Sequence, residues 1–156
     1  LNSAMQNSVN WYFQAIDSQL GINRVQGFLN KIEYGNQTTS SNLDLYWSDF
    51  SLKISPLEQV TLLKKFNTNE FHLNSQNVFS VKNAIKIAST PNGNFYGKTG
   101  TGRVNGQDIN GWFIGYVETS DNSYYFATNI QSDSNATGKK AFEITSDILK
   151  KLHIWN

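Results

Sequence analysis

The chain has no cysteine. A disulfide frame is therefore excluded, and so is any metal site built on thiolates. Histidine is nearly as scarce: His72 and His153 stand far apart, with no ligand spacing between them, and read as surface residues. No metal and no cofactor is expected. Lysine and arginine total 13 against 12 aspartates and glutamates, so the formal net charge of +1 points neither to nucleic acid nor to an acidic surface. No apolar run reaches the roughly 20 residues that a membrane-spanning helix needs, and no signal peptide is visible.

What is present is enough for one domain with a real core. The chain has 156 residues, and 13% of them are aromatic, sufficient to anchor several packed layers. From Ser8 to Leu20, Val9, Tyr12, Phe13, Ile16 and Leu20 recur at helical spacing, with Ser8 placed to cap and Gly21 just past the end. Asn23 opens a second short helix carrying Val25, Phe28, Leu29 and Ile32, which Tyr34-Gly35-Asn36 breaks. Gln37 to Asn42 is polar and reads as a surface loop. Ser55-Pro56-Leu57-Glu58 is a helix start: serine caps, proline takes the first turn, and Glu58 closes a capping box. A further helix is expected over Ser75 to Ala88, ending before a turn at Thr90-Pro91-Asn92-Gly93.

Two strands follow, Phe95-Tyr96-Gly97-Lys98-Thr99-Gly100-Thr101-Gly102 and Asn110-Gly111-Trp112-Phe113-Ile114-Gly115-Tyr116-Val117, joined by a tight turn at Asn105-Gly106. A third strand is expected over Tyr124 to Ile130. A last helix is expected from about Lys139 to Leu152, burying Ala141, Ile144, Ile148 and Leu152. Helices, then a three-strand antiparallel meander, then a helix, make an α+β architecture in which an antiparallel β-sheet is covered by helices. No internal repeat or interdomain linker is visible.

The first of those strands carries the most chemistry. Lys98 supplies a point charge able to attract a carboxylate or to hold a neighbouring hydroxyl for proton transfer. Gly100 and Gly102 lack a Cβ, which leaves the backbone open to close approach. Lys-Thr-Gly by itself also fits a glycine-rich hairpin with a solvated lysine. Ser8-Val9-Asn10 places a hydroxyl and an amide at a helix start, where a cap alone would also account for the serine. Trp47, in a polar-flanked stretch before Leu52 and Ile54, reads by itself as core.

In order and approximate spacing, Ser8-Val9-Asn10, Tyr34-Gly35-Asn36, Trp47 with Leu52-Lys53-Ile54-Ser55, Glu58-Gln59-Val60, Lys98-Thr99-Gly100 and Gly111-Trp112-Phe113-Ile114-Gly115-Tyr116 resemble the class D serine β-lactamase fold. The likeness is greatest to its non-hydrolytic relatives, the penicillin-sensing domains of staphylococcal β-lactam sensor-transducers, and covers nearly the whole chain. It implies a serine acylated by the strained β-lactam amide. Ser8 would help move the proton to the leaving nitrogen. Lys98 would hold Ser8 and the ligand carboxylate electrostatically, and Thr99 would donate a hydrogen bond to that carboxylate. The backbone N–H of Thr101, beside Gly100, would be half of an oxyanion hole, worth typically about 3 kcal/mol in the transition state. Tyr34 and Trp47 would line the pocket. Lys139 and Lys140 are further candidates to grip the carboxylate. Asn10 stands where hydrolytic relatives usually carry valine beside a carboxylated lysine, and so favours a lasting acyl adduct over turnover.

One departure is large. The family nucleophile lies in Ser-x-x-Lys, and no serine here has lysine three residues on. Thr61-Leu62-Leu63-Lys64 and Thr137-Gly138-Lys139-Lys140 have the spacing with threonine. Only seven residues precede Ser8. Residues 1–156 are therefore expected to be the C-terminal portion of one extracellular sensing domain, with the nucleophile in an N-terminal portion outside this sequence. The partners implied are β-lactam antibiotics and the rest of a membrane-anchored sensor-transducer polypeptide at the outer face of a bacterial membrane. The alternatives are a class D β-lactamase and a peptide-binding module that uses the Lys98 strand for β-augmentation.

Overall fold

The computed structural model describes residues 1–39, 43, 46–48 and 50–155. The loop expected over 37–42 lies outside the described residues from position 40 to 42. Two compact units emerge, Leu1–Ala84 and Ile85–Asn156.

The first unit is helical: α1 (Asn2–Gln6), α2 (Asn10–Leu20), α3 (Ile22–Lys31), α4 (Pro56–Asn67) and α5 (Ser75–Ala84). The periodicity of the sequence located α2 to α4 but gave no sign of α1, whose five residues are too few to show a pattern. Gly21, with φ +78°, ends α2 and begins α3, as its position just past the last periodic residue foretold. Ser8 is not the cap expected of it. Val9 occupies that position, no side chain caps α2, and Ser8 itself sits at φ +50°. The Ser55 capping box is present: Glu58 N–H donates to Ser55 Oγ at 3.3 Å, and Ser55 N–H donates to the Glu58 carboxylate at 2.8 Å. Val25, Leu29 and Tyr46 form the unit's core, with Tyr34, Leu43, Trp47 and Leu52 packed on it. Gln59 is buried, and its Oε1 accepts a hydrogen bond from the Tyr34 hydroxyl at 3.2 Å.

The second unit is an antiparallel sheet, β1 (Lys86–Thr90), β2 (Gly93–Val104), β3 (Gln107–Thr119) and β4 (Ser123–Gln131), in that spatial order, followed by α6 (Gly138–Lys151). Four strands stand where three were expected. The helix read over Ser75 to Ala88 stops at Ala84, and its last residues turn into β1. Lys86-Ile87-Ala88-Ser89-Thr90 carries β-branched Ile87 and Thr90 and lies one tight turn from β2, so hairpin pairing wins over a weak helical period. The Asn105-Gly106 turn is as expected, both residues at positive φ (49° and 79°). Arg103 and Asp108 close the hairpin end at 2.7 Å.

Strand alternation gives the sheet two apolar faces. Phe95, Phe113 and Val117 face α6 and pack with its Ala141 and Leu149. Tyr96, Tyr116 and Tyr125 line the opposite face, where Tyr96 and Tyr116 stack at 4.6 Å. The buried side of α6 differs from expectation. Ala141, Thr145 and Leu149 are buried, whereas Ile144, Ile148 and Leu152 are 43%, 47% and 61% exposed. Thr145 is the polar residue among the buried three. Its hydroxyl meets the Ala141 carbonyl at 2.8 Å and Thr128 Oγ1 at 2.7 Å, which makes its burial tolerable.

Candidate functional site

β1 pairs with β2 only through Tyr96, and the last bond on that side runs from Gly97 N–H to the Ile85 carbonyl at 2.8 Å. Beyond it, no strand among the described residues pairs with this edge of β2. In an antiparallel strand the N–H and C=O of one residue point to the same side, and the side alternates. Thr99 and Thr101 therefore present their N–H groups to the open edge, as Gly97 does, while Lys98 and Gly100 pair with Ile114 and Trp112 of β3.

Side chains complete this edge. Lys98 Nζ donates to the Thr99 carbonyl at 2.7 Å and takes part in further interactions. Partial burial holds its ammonium below the usual lysine value, so its proton is more readily exchanged than that of a solvated lysine. Thr99 and Thr101 are exposed. Their side chains lie on the α6 face of the sheet, and Thr101 Oγ1 accepts a hydrogen bond from Gly138 N–H at 2.9 Å. An ammonium, two hydroxyls and outward N–H donors thus lie along four consecutive residues. That arrangement suits an extended ligand carrying an anionic group and a carbonyl.

The other expected site residues lie in the helical unit. Asn10 is the first residue of α2, two positions after Ser8, and both are exposed. Tyr34 and Trp47 pack on the core of that unit. Burial raises the Tyr34 phenol above its ordinary value, which keeps it a neutral hydrogen-bond donor. Of the two threonines at Ser-x-x-Lys spacing, Thr61 donates to the Leu57 carbonyl at 3.0 Å inside α4, and Thr137 caps α6 by accepting from Lys140 N–H at 3.2 Å. Lys139 lies 3.9 Å from Glu143 at the surface, and Arg103 is engaged with Asp108. Among the described residues no group of histidines and carboxylates could hold a metal ion, and no helix is long and apolar enough to cross a membrane.

Sequence reading missed the contact between Gly138 and Thr101. The signal for it was the pair Thr137-Gly138 at a helix start, but a partner 37 residues away is a tertiary fact.

Comparison with known proteins bears on the family and the fold. The methicillin resistance mecR1 protein of Staphylococcus aureus is 44% identical over 154 residues, which are 99% of this chain and 26% of that protein. The chain therefore spans about a quarter of the length of that relative. Among solved structures, the C-terminal domain of the Bacillus licheniformis BlaR penicillin-receptor superposes with a TM-score of 0.94 at 46% identity, covering 99% of this chain and 63% of that one. A class D β-lactamase from Bacillus subtilis superposes with a TM-score of 0.91 at 37% identity, again covering 99% of this chain and 63% of the other. A penicillin-receptor domain and a β-lactamase thus share this architecture. Because the penicillin-binding protein transpeptidase domain matches over residues 1–150, the chain belongs to that family.

Proposed function

We propose that this chain is the C-terminal part of a β-lactam sensor domain. In this reading the domain is stably acylated by penicillins and signals induction of antibiotic resistance, and the acylated serine lies in a segment preceding these residues. The observation that carries the reading is the open edge of β2, where Lys98, Thr99 and Thr101 offer an ammonium, hydroxyls and N–H donors in a chain similar to a methicillin resistance protein and a penicillin-receptor domain. Thr101 N–H supplies half of the oxyanion hole, Thr99 donates to the ligand carboxylate, and Lys98 holds that carboxylate. Ser8 passes the proton to the departing lactam nitrogen. Asn10 favours receptor over hydrolase, because an amide makes the surroundings of an activating lysine more polar and binds it. Tyr34 and Trp47 line the ligand pocket. The domain works at the outer face of a bacterial membrane, joined to the rest of a sensor-transducer polypeptide.

The test is denaturing intact-mass spectrometry before and after benzylpenicillin. The purified chain alone is expected to stay unmodified, and the same chain joined to its preceding segment to gain one penicilloyl mass that persists for hours. A penicilloyl adduct on the isolated chain would overturn the placement of the nucleophile.

The second reading, a class D β-lactamase, is favoured by the Bacillus subtilis enzyme that superposes on the same residues. Steady turnover of a chromogenic β-lactam by the joined domain would establish it.

A further inference from the structure

α2 and α3 meet at a single residue. Gly21 ends one helix and begins the next, so the last turn of α2 adjoins the first turns of α3. Between them opens a hollow of about 300 Å³, lined by Asp17 and Leu20 of α2, by Arg24, Val25, Phe28 and Leu29 of α3, and by Tyr46. Helical spacing builds it. Val25 and Leu29 stand four residues apart and are buried with Tyr46, which gives the hollow an apolar floor. Arg24 and Phe28, also four apart, share the next ridge of α3. Leu20 and Phe28 are 44% and 46% exposed, so the mouth is open to solvent. The lining includes none of Ser8, Asn10, Tyr34, Trp47 or the Lys98 edge.

Two charged groups line this hollow, and they are not equivalent. Asp17 is engaged: its Oδ2 accepts a hydrogen bond from the Tyr46 hydroxyl at 3.2 Å, and it makes further interactions. Burial and the Asp17 carboxylate raise the Tyr46 phenol above its ordinary value, which keeps it a donor to Asp17. Arg24 is exposed, and among the described residues no side chain or carbonyl engages its guanidinium. A guanidinium is a planar fork of donors whose geometry matches a carboxylate. Small-molecule pockets span about 300–1,000 Å³, so this one has room for a single short chain. We propose that the hollow between α2 and α3 binds a small anionic amphiphile, an alkyl carboxylate of medium length. Its apolar part lies over Val25 and Leu29 between Leu20 and Phe28, and its carboxylate meets Arg24. The site stands apart from the β-lactam reading and does not depend on it.

The test is a titration of the chain joined to its preceding segment with decanoate, below its micelle-forming concentration, followed by NMR of the backbone amides. Saturable shifts are expected at residues 17–29 and at Tyr46. Decanol, which has the chain without the charge, is expected to bind about tenfold more weakly. Arg24→Gln is expected to weaken decanoate about tenfold and to leave decanol unchanged. Phe28→Ser is expected to weaken both compounds. Arg24 and Phe28 are exposed, so the amide spectrum away from the hollow is expected to survive each change. Absent shifts, shifts that do not saturate, or shifts centred elsewhere overturn the site. Equal binding of decanoate and decanol, or undiminished decanoate binding in Arg24→Gln, overturns the role of the guanidinium and with it the ligand class. Vesicles of phosphatidylglycerol that shift the same amides and displace decanoate would place the occupant in a membrane surface and overturn the free amphiphile. Acylation by benzylpenicillin enters none of these readouts, so a failure of the proposed function leaves them unaffected.

Discussion

Asn36 and Lys53 hold one another by two hydrogen bonds: Asn36 N–H donates to the Lys53 carbonyl at 2.9 Å, and Lys53 N–H donates to Asn36 Oδ1 at 2.9 Å. Asn36 Nδ2 also reaches the Ser51 carbonyl at 2.8 Å. One asparagine therefore fastens the turn after α3 to the segment leading into α4.

The residue before it pays no steric penalty only because it is glycine. Gly35 sits at φ +49°, and a Cβ there would overlap the Lys53 carbonyl. Gly35→Ala is expected to destabilise the chain by about 2–3 kcal/mol, because it combines a left-handed backbone with a backbone clash. Chemical denaturation of the two proteins checks this, and a loss below about 0.5 kcal/mol would contradict it.

The α4 capping box should make stability depend on pH in a defined window. Hydrogen bonds from the Ser55 hydroxyl and N–H hold the Glu58 carboxyl below its ordinary value. A depressed carboxyl contributes stability that is fully present above its unfolded pKa, about 4.3, and is lost as pH falls through the lower folded value. Ser55→Ala is expected to melt lower than wild type at neutral pH, with the difference closing in the acid range. Thermal melts from pH 7 down to pH 3 would show it, and a pH-independent difference would contradict it.

The aromatic layer under α6 carries much of the second unit. Phe113 is 1% exposed, with Phe95 edge-on at 6.0 Å and Phe142 at 5.0 Å. Phe113→Ala is expected to cost about 3–5 kcal/mol through lost burial and the cavity left behind. Urea unfolding monitored by circular dichroism is the check.

Lys98 is expected to trade stability for binding. Burial lowers its pKa, so its charged form is less favoured in the folded chain than in the unfolded one. That cost is fully present at neutral pH. It is relieved as pH rises through the lowered folded value toward the unfolded one, about 10.4. Lys98→Met should therefore melt higher at pH 7, with the gain shrinking toward pH 10, while acylation of the joined domain by benzylpenicillin falls steeply. A lower melting temperature at pH 7 would contradict the assignment.

How much of this was legible depended on whether the cause was local. The Ser55 box, Gly21 and the Asn105-Gly106 turn were read correctly because backbone dihedrals and capping hydrogen bonds involve residues within a few positions of each other. Ser8 failed as a cap although its residue type suited one, because α2 begins one position beyond Val9. Ala88 fitted a helical period, but the partner strand that claims it lies across a turn. On α6, three large aliphatics looked like core, and the sheet instead received Thr145 and Leu149.

The sequence by itself determined the start of α4, the hairpin, the α+β class and the strand that bears Lys98-Thr99-Gly100-Thr101, since each follows from residue type at short range. Tertiary structure decided which edge of that strand stays open, which side of α6 is buried, and that Gly138 reaches Thr101. Those outcomes depend on the register of β2 against β1 and β3 and on where α6 lands, which packing across many residues fixes and local preference does not.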